Sequence, residues 1–294
     1  MNFALTRIAP TPSGFLHLGN AFSFLVTKSL AEKHGAKILL RIDDLDRERY
    51  RTDYVEDIFD TLGFLEISID QGPKNLKEFE SEWSQIHRME SYTRALDKFR
   101  QSKKVFSCDC SRKKIQEMNP SGHYLGYCLD RNISLEKPEA AWRINTLDSD
   151  FISYLEYPSF KKAELIPEET AFYVIRKKDR LPAYQLTSVV DDMTFGVDLI
   201  VRGKDLEAST LAQLDLAGYL GADNFAKTTF HHHALLKSLD KKKLSKSEGA
   251  TSIRFLRKEG KKQAEVLGLI GEMAGFKEPI STFEEFKDQY LSKF

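Results

Sequence analysis

The segment Arg7–Asn20 reads Arg-Ile-Ala-Pro-Thr-Pro-Ser-Gly-Phe-Leu-His-Leu-Gly-Asn and predicts a loop that leads into a helix. Apolar residues then recur at helical spacing, at Leu18, Phe22, Leu25, Val26 and Leu30. Gly35 follows where a C-terminal cap belongs. Because the start of a helix presents unpaired backbone N–H groups, this turn is a candidate phosphate site. In it, His17 adds a side chain near the phosphates and Gly19 leaves room for a flat ring.

Charge and composition describe an ordinary globular chain. Of the 294 residues, 44 are Lys or Arg and 44 are Asp or Glu, so overall charge gives no argument for nucleic-acid binding. The hydrophobic content is 41%, which is typical of a folded chain, and the length predicts two domains. Any contact with RNA must therefore come from a local patch. Residues 237–262, which are rich in Lys and Arg, are the candidate.

The sequence shows no signal for export or membrane insertion. No apolar run approaches the roughly 20 residues that cross a bilayer, and the N-terminus lacks the apolar core of a signal peptide. The three cysteines, Cys108, Cys110 and Cys128, are odd in number and close together, which argues against a disulfide framework. We therefore expect a cytoplasmic protein without a membrane partner.

The order of predicted elements favours an α/β fold. Lys37–Ile42 reads as a buried strand, so the chain up to Ile42 predicts a strand, a helix and a parallel strand. Strand patterns return at Phe172–Arg176 and Leu199–Arg202. Helical patterns cover Tyr54–Leu62, Ile86–Arg100 and Leu206–Leu220. We predict a Rossmann-like parallel-sheet domain in two halves, 1–104 and 169–248, split by an insertion over 105–168 and followed by a short helical region over 249–294.

A cysteine cluster within this insertion is a candidate metal site. Cys108-Asp-Cys110 is followed after 17 residues by Cys128, and zinc favours four tetrahedral ligands with thiolates preferred. The local candidates for a fourth ligand are Asp109, His123, Tyr124 and Tyr127. Ligand chemistry alone favours His123, because a phenol must lose a proton of pKa about 10. The alternative is three buried cysteines without a metal.

A second histidine cluster, His231-His-His233, is a weaker candidate for metal binding. Alternation along a strand places His231 and His233 on one face, but no third ligand follows nearby in the sequence. The pattern is more typical of a strand beside a nucleotide.

Lys243-Leu-Ser-Lys-Ser247 lies more than two hundred residues after the first turn. Together, the two segments resemble the HIGH and KMSKS signatures of class I aminoacyl-tRNA synthetases. The resemblance implies that His17, Lys243 and Lys246 act on the phosphates of an ATP bound with Mg²⁺. The implied ATP-binding residues are His17, Gly19, Asn20, Lys243, Ser245 and Lys246.

Two further segments narrow the resemblance. Tyr184-Gln-Leu is followed by Val-Val-Asp-Asp192, and then comes Val201-Arg-Gly-Lys-Asp-Leu206. Both are similar to the glutamate-specific branch of these synthetases, and the ordered motifs cover residues 5–250. The resemblance implies that L-glutamate is bound by Arg7, Thr11, Asp43, Tyr184 and Arg202. Asp43 stands where this branch usually has glutamate, so its side chain is one methylene shorter.

The cysteine element is similar to that of a short group within this branch, the glutamyl-queuosine tRNA(Asp) synthetases. In that group a tyrosine completes the site, so the resemblance implies one structural zinc on Cys108, Cys110, Tyr124 and Cys128, against the chemical preference for His123. It also implies transfer of glutamate to the queuosine base of tRNA(Asp). Only 47 residues follow Ser247, so we expect no anticodon-binding domain, and we expect a monomer.

Three alternatives remain open. The first is a truncated or atypical glutamyl-tRNA synthetase that charges the 3′ end of tRNA(Glu) or tRNA(Gln). Ser247 is compatible with it, since the queuosine group often has Gln at this position. The second is a catalytically silent RNA-binding paralogue, which the intact nucleotide motifs disfavour. The third is an adenylyltransferase for a small metabolite, which the Tyr184 and Arg202 motifs disfavour.

Overall fold

The computed structural model describes residues 1–158, 160–237 and 252–294. The strands in these ranges are β1 (Leu5–Ile8), β2 (Lys37–Leu40), β3 (Val105–Cys108), β4 (Ala141–Ile144), β5 (Ile152–Glu156), β6 (Phe160–Glu164), β7 (Val174–Arg176), β8 (Leu199–Gly203) and β9 (Thr229–His233). The helices are α1 (Leu18–His34), α2 (Thr52–Phe64), α3 (Leu76–Glu78), α4 (Met89–Ser102), α5 (Arg112–Met118), α6 (Tyr184–Phe195), α7 (Glu207–Leu220), α8 (Asp223–Ala226), α9 (Ile253–Lys258), α10 (Gln263–Met273) and α11 (Phe283–Leu291).

Helix α1 begins and ends where the sequence predicts. His17 is its N-cap, and Gly35 adopts the left-handed conformation at the other end, with φ 69° and ψ 22°. A residue without a Cβ takes this conformation at little cost, so glycine suits the position. The apolar residues of the predicted stripe, from Leu18 to Leu30, are buried.

The chain forms two compact units, each assembled from segments that are distant in sequence. The first unit comprises Met1–His87, Asp198–Lys204 and Phe230–Phe294, and the second comprises Arg88–Val197 and Asp205–Thr229. The boundaries predicted above remain predictions; they are 1–104, 105–168, 169–248 and 249–294. The two compact units are a different grouping of the chain and do not follow these boundaries.

The first unit is built on a sheet with the order β2-β1-β8-β9. β1 is parallel to β2, with Leu5 opposite Lys37, and parallel to β8, with Thr6 opposite Leu199. The carboxylate of Asp198, just before β8, accepts the backbone N–H groups of Ala4 and Leu5 at 2.8 and 3.0 Å. These bonds fix the register of two strands that are almost two hundred residues apart, and the predicted parallel α/β unit is confirmed.

The second unit contains an antiparallel sheet, β3-β4-β7, and the antiparallel hairpin β5–β6. Its helices α4 and α6 are joined by a buried polar network around Asp191. The Arg88 guanidinium donates to both carboxylate oxygens at 2.8 and 2.9 Å, and the Tyr92 hydroxyl donates at 2.7 Å. A buried carboxylate is tolerated here because each of its oxygens is hydrogen-bonded.

The helical region expected after residue 249 is observed as α9, α10 and α11. The predicted strands and helices are found with bounds shifted by a few residues, as is usual at the ends of elements. Among the described residues, every helix is too short or too polar to cross a bilayer.

Candidate active site

Three predicted glutamate-binding residues lie at one edge of the first unit's sheet. Arg7 is in β1, Asp43 follows β2, and Arg202 is in β8. These strands are adjacent and parallel, so their carboxyl ends meet at the same edge, which is where open α/β sheets bind ligands. The sheet therefore brings together residues that are 195 positions apart in the sequence, from Arg7 to Arg202.

The two arginines of this edge are buried. Arg7 is 6% exposed and its Nη1 donates to the carbonyl oxygen of Val201 at 3.1 Å. Arg202 is 4% exposed, with its guanidinium 5.2 Å from the centre of the Phe230 ring. Two guanidinium groups held in low-dielectric surroundings make an anion-binding environment, and their planar geometry suits a carboxylate.

Asp43 is engaged by a residue that the sequence analysis missed. Arg41 donates from Nε to Asp43 Oδ1 at 2.7 Å and from Nη2 to Oδ2 at 2.9 Å. The Arg41 side chain is 2% exposed and that of Asp43 is 8% exposed. Both carboxylate oxygens of Asp43 are therefore already hydrogen-bonded to Arg41. The spacing of two residues, which puts both side chains on one face of an extended segment, is the signal that could have revealed the pair.

His17 is held by a reciprocal helix cap. Its Nδ1 accepts the N–H of Gly19 at 3.0 Å, and its own backbone N–H donates to Asn20 Oδ1 at 3.0 Å. Burial lowers the pKa of His17. Because Nδ1 is an acceptor here, the neutral ring carries its proton on Nε2, and His17 presents a single N–H donor.

Two other predicted ligands lie close to His17 in the sequence. Asn20 is in the first turn of α1, where its Oδ1 accepts the N–H of His17. Thr11 is an exposed residue of the loop, and its carbonyl oxygen accepts the N–H of Ser13 at 2.9 Å.

The absence of a side chain at Gly19 leaves room for the ring of His17, and the predicted contact of Gly19 with ATP stays a prediction. A Cβ at this position would lie 2.8 Å from Cε1 and 3.0 Å from Nδ1 of His17. The space beside the backbone is therefore filled by the imidazole, which folds back to cap the helix.

Gly19→Ala is expected to push the imidazole of His17 out of its capping position. The ring then leaves the neighbours that partly desolvate it, so the pKa of His17 rises towards its ordinary value. An NMR titration of the histidine rings measures this change. Gly14→Ala is the matched control, because no atom lies within 4 Å of its Cβ. An unchanged His17 pKa in Gly19→Ala contradicts the steric argument.

Lys243, Ser245 and Lys246 lie outside the described residues, and their roles stay predictions. The residues that flank them belong to the first unit. The N–H of Lys237 donates to the carbonyl oxygen of Met273 at 3.0 Å. On the other side, Ser252 forms an antiparallel bridge with His17, and the N–H of Ile253 donates to the carbonyl oxygen of Leu16 at 2.8 Å. Ser252 and Ile253, where the described chain resumes, therefore lie next to the histidine turn.

Tyr184, the fifth predicted glutamate ligand, belongs to the second unit. It is the first residue of α6 and is 43% exposed. It lines a cavity together with Tyr124 and Arg143.

The second unit brings the three cysteines together. The Sγ atoms of Cys108, Cys110 and Cys128 lie within 4.8 Å of one another, and all three residues are buried. The Tyr124 hydroxyl oxygen accepts the backbone N–H of Cys128 at 2.8 Å, so it lies at the same cluster. Three buried thiols are donors that suit zinc, and the phenol oxygen of Tyr124 lies beside them.

The other candidates for a fourth ligand have different surroundings. His123 Nδ1 lies 3.5 Å from the Glu168 carboxylate. The Asp109 carboxylate pairs with Arg131 at 2.8 Å and Lys137 at 2.7 Å. Tyr127 packs edge-on against the Tyr124 ring.

The pKa values of two thiols in this cluster are shifted in opposite directions. Burial raises the pKa of Cys110 to about 12. Burial also acts to raise the pKa of Cys128, but hydrogen bonds from Tyr124, Cys110 and Arg131 outweigh it, so this pKa is lowered. The Arg131 Nη1 lies 3.1 Å from Cys128 Sγ. A metal cation would replace the protons that these neighbouring thiols otherwise hold.

The strand predicted for the histidine cluster is confirmed as β9. His231 and His233 are buried on one side of it. His231 Nε2 is 2.6 Å from the Tyr290 hydroxyl, and His233 packs edge-on against Phe22. These contacts give both rings a place in the core of the first unit.

Comparison with known proteins identifies the family. The model of the class I tRNA synthetase (E and Q) catalytic domain matches residues 4–138 and 160–288. A protein named glutamyl-Q tRNA(Asp) synthetase from Nitratidesulfovibrio vulgaris is 32% identical over 92% of this chain and 86% of its own length. Proteins of the same name from Synechococcus sp. and Rhodobacter capsulatus are 33% and 31% identical, over 80% and 99% of their lengths.

Solved structures share the fold. A glutamate tRNA ligase from Elizabethkingia meningosepticum, solved in complex with its amino acid, superposes with a TM-score of 0.72 at 20% identity over 97% of this chain. The chain spans 64% of that protein's length. It also spans 53% of a glutamate–tRNA ligase from Cutibacterium acnes, to which it is 29% identical. The resemblance to the glutamyl-queuosine group is confirmed, and the chain belongs to the class I tRNA synthetases of the E and Q type.

Proposed function

We propose that this protein is a ligase that activates glutamate with ATP and transfers the glutamyl group to the queuosine base of tRNA(Asp). The observation that carries the proposal is the set of three relatives named glutamyl-Q tRNA(Asp) synthetase. They are 31–33% identical over 89–92% of this chain. The buried arginines at the carboxyl edge of the first unit's sheet support the choice of an acidic amino acid.

In the proposed binding mode, Arg7 and Arg202 read the carboxylates of glutamate. A buried guanidinium gains most from an anionic partner, so a neutral amide such as that of glutamine pairs poorly here. Asp43 faces the substrate ammonium while it keeps its bond to Arg41. Thr11 contributes to the same site, and the role of Tyr184 in binding glutamate is the one that the family resemblance implies.

In the first step, an oxygen of the glutamate α-carboxylate attacks the α-phosphorus of ATP. The bond from this phosphorus to the bridging oxygen breaks, and pyrophosphate leaves. The neutral His17 donates its Nε2 proton in a hydrogen bond to a phosphate, while Lys243 and Lys246 supply positive charge. Mg²⁺ bound with ATP neutralises further phosphate charge. Positioning and electrostatic stabilisation do the catalytic work, so no protein nucleophile is needed.

In the second step, a hydroxyl of the queuosine nucleoside attacks the acyl carbon of glutamyl-adenylate. An ester bond forms, the hydroxyl proton is released, and AMP leaves. The basic residues of segment 237–262 are our candidates for contacts to the RNA backbone, which makes affinity for tRNA fall with salt.

We further propose that Cys108, Cys110, Tyr124 and Cys128 hold one structural zinc. A zinc ion held by these residues would cross-link the end of β3 to the segment around residues 124–128. Support comes from the short Sγ separations and from the Tyr124 oxygen at the same cluster. Arg131 stabilises thiolate character on Cys128 through its hydrogen bond.

The acceptor is tested with labelled glutamate, ATP and three RNAs: tRNA(Asp) with queuosine, tRNA(Asp) without it, and tRNA(Glu). We expect label on queuosine-containing tRNA(Asp) alone. Label on tRNA(Glu) contradicts the proposal and assigns the chain to 3′-end charging, as in its relatives named glutamate–tRNA ligase. Absence of ATP–pyrophosphate exchange with every amino acid indicates a silent paralogue.

A further inference from the structure

The residue before His17 is held by a buried carboxylate. Asp57, on helix α2, accepts the backbone N–H of Leu16 on its Oδ2 at 2.9 Å. Asp57 is only 2% exposed. Burial raises its pKa, while the Leu16 N–H and the charges of Arg254 and Arg257 act in the opposite direction. A carboxylate in such a place is costly, so its hydrogen bond to the backbone is a specific feature of this turn.

The carbonyl oxygen of Leu16 is also hydrogen-bonded, because it accepts the N–H of Ile253 at 2.8 Å. The next residue, His17, forms an antiparallel bridge with Ser252. Leu16 therefore connects α2 on one side to the start of α9 on the other. Ser252 and Ile253 directly follow the segment that contains Lys243 and Lys246 in the sequence.

Further contacts reinforce this arrangement. The guanidinium of Arg254, on α9, lies 4.4 Å from the centre of the Phe15 ring and 3.9 Å from the Asp53 carboxylate. Phe15 in turn packs edge-on against Tyr54 of α2. The geometry thus joins helix α2, the histidine turn and helix α9 through adjacent residues of one strand-like segment.

We propose that Asp57 is a positioning residue of the nucleotide site. Asp57 fixes the position of the histidine turn and, through Leu16, the position of Ser252 and Ile253. This inference rests on the proposed function, because it assigns ATP to that turn. Without an acceptor at residue 57, the buried N–H of Leu16 loses its partner and the turn must shift to recover one. The shift moves the His17 ring and Ser252 together.

The test compares Asp57→Leu, which cannot accept a hydrogen bond, with Asp57→Asn, whose amide oxygen can. The assay is ATP–pyrophosphate exchange with glutamate. Asp57→Leu is expected to lower kcat/KM for ATP about tenfold. It should leave KM for glutamate unchanged, since Arg7 and Arg202 lie on β1 and β8 and not in the turn that Asp57 contacts. Asp57→Asn is expected to restore most of the activity. Asp60→Asn is the matched control, because Asp60 is an exposed carboxylate of the same helix that faces Arg257.

Equal losses in Asp57→Leu and Asp57→Asn overturn the proposal, as does a parallel rise in KM for both substrates. A second readout separates the inference from the proposed function. The ring ¹⁵N shifts of His17, assigned by their loss in His17→Gln, are expected to move in Asp57→Leu and stay in Asp57→Asn. If the wild-type protein gives no exchange, the proposed function fails, and these shifts alone decide the positioning role. Unmoved shifts in Asp57→Leu overturn it.

Discussion

Arg202→Gln is expected to lower kcat/KM for glutamate by about 10²- to 10³-fold in ATP–pyrophosphate exchange, with KM for ATP unchanged. Arg202 is almost completely buried in β8, so its charge is screened little by solvent. Removing one partner of a buried charge pair costs about 3–5 kcal/mol, because the other charge is left without a counter-ion. In the proposed binding mode that other charge is a carboxylate of the substrate. Glutamine keeps a polar group of similar length but supplies no cation.

Two variants make this measurement specific. Arg202→Lys keeps the charge and loses the planar fork, so we expect an intermediate loss. Lys204→Gln removes an exposed cation two residues further along the chain and should leave the kinetics unchanged. If Arg202→Gln and Lys204→Gln behave alike, or if KM for ATP rises together with KM for glutamate, Arg202 does not read the substrate carboxylate.

Cys128→Ser is expected to abolish stoichiometric zinc binding and to lower the unfolding temperature of the protein strongly. Structural zinc sites contribute roughly 10–16 kcal/mol of apparent binding free energy near pH 7, which is comparable to the whole free energy of unfolding of a typical domain, about 5–15 kcal/mol. Cys128 lies in the same buried cluster as Phe106 and Phe172, so loss of the metal also loosens their packing. Metal content after dialysis and a thermal melt measure the two effects. Equal zinc content in the wild type and in Cys128→Ser excludes the site.

The identity of the fourth ligand is tested by a matched pair of neighbours. Tyr124→Phe removes only the hydroxyl oxygen at the cysteine cluster, and we expect at least a tenfold loss of zinc affinity in a chelator competition. His123→Ala removes the ring that faces Glu168, and we expect one zinc per chain with unchanged affinity. The reverse outcome would return the assignment to His123, which ligand chemistry alone favours.

Much of the architecture was predictable because helices and strands follow from the spacing of apolar residues along the sequence. The apolar spacing after Leu18 and the glycine at position 35 specify α1 with both of its ends. The strand patterns around Ile38 and Ile200 specify β2 and β8, the two strands that pair in parallel with β1. Such patterns depend only on the periodicity of helix and strand, so they can be read from the sequence without knowledge of distant contacts.

The side-chain directions within the site were less predictable. The sequence indicated open space at Gly19, but it did not indicate that the imidazole of His17 lies where a Cβ would be. The sequence also did not indicate that Arg41 donates hydrogen bonds to both carboxylate oxygens of Asp43, the residue expected to bind the substrate ammonium. These features depend on rotamers and on the path of the backbone, which local spacing does not specify.

By itself, the sequence determined the α/β class, the cysteine and arginine chemistry and the motifs of the synthetase family, because each depends on residue type and spacing. Only the tertiary structure decided which of these residues meet. The pairing of β1 with β8 brought Arg7 and Arg202 to one edge of the sheet. The folding of the second unit brought the Tyr124 hydroxyl oxygen to the backbone N–H of Cys128. The tertiary structure also joined Asp57 to Leu16. The physical reason is that long-range contacts follow from strand register and helix packing, which the whole chain sets cooperatively.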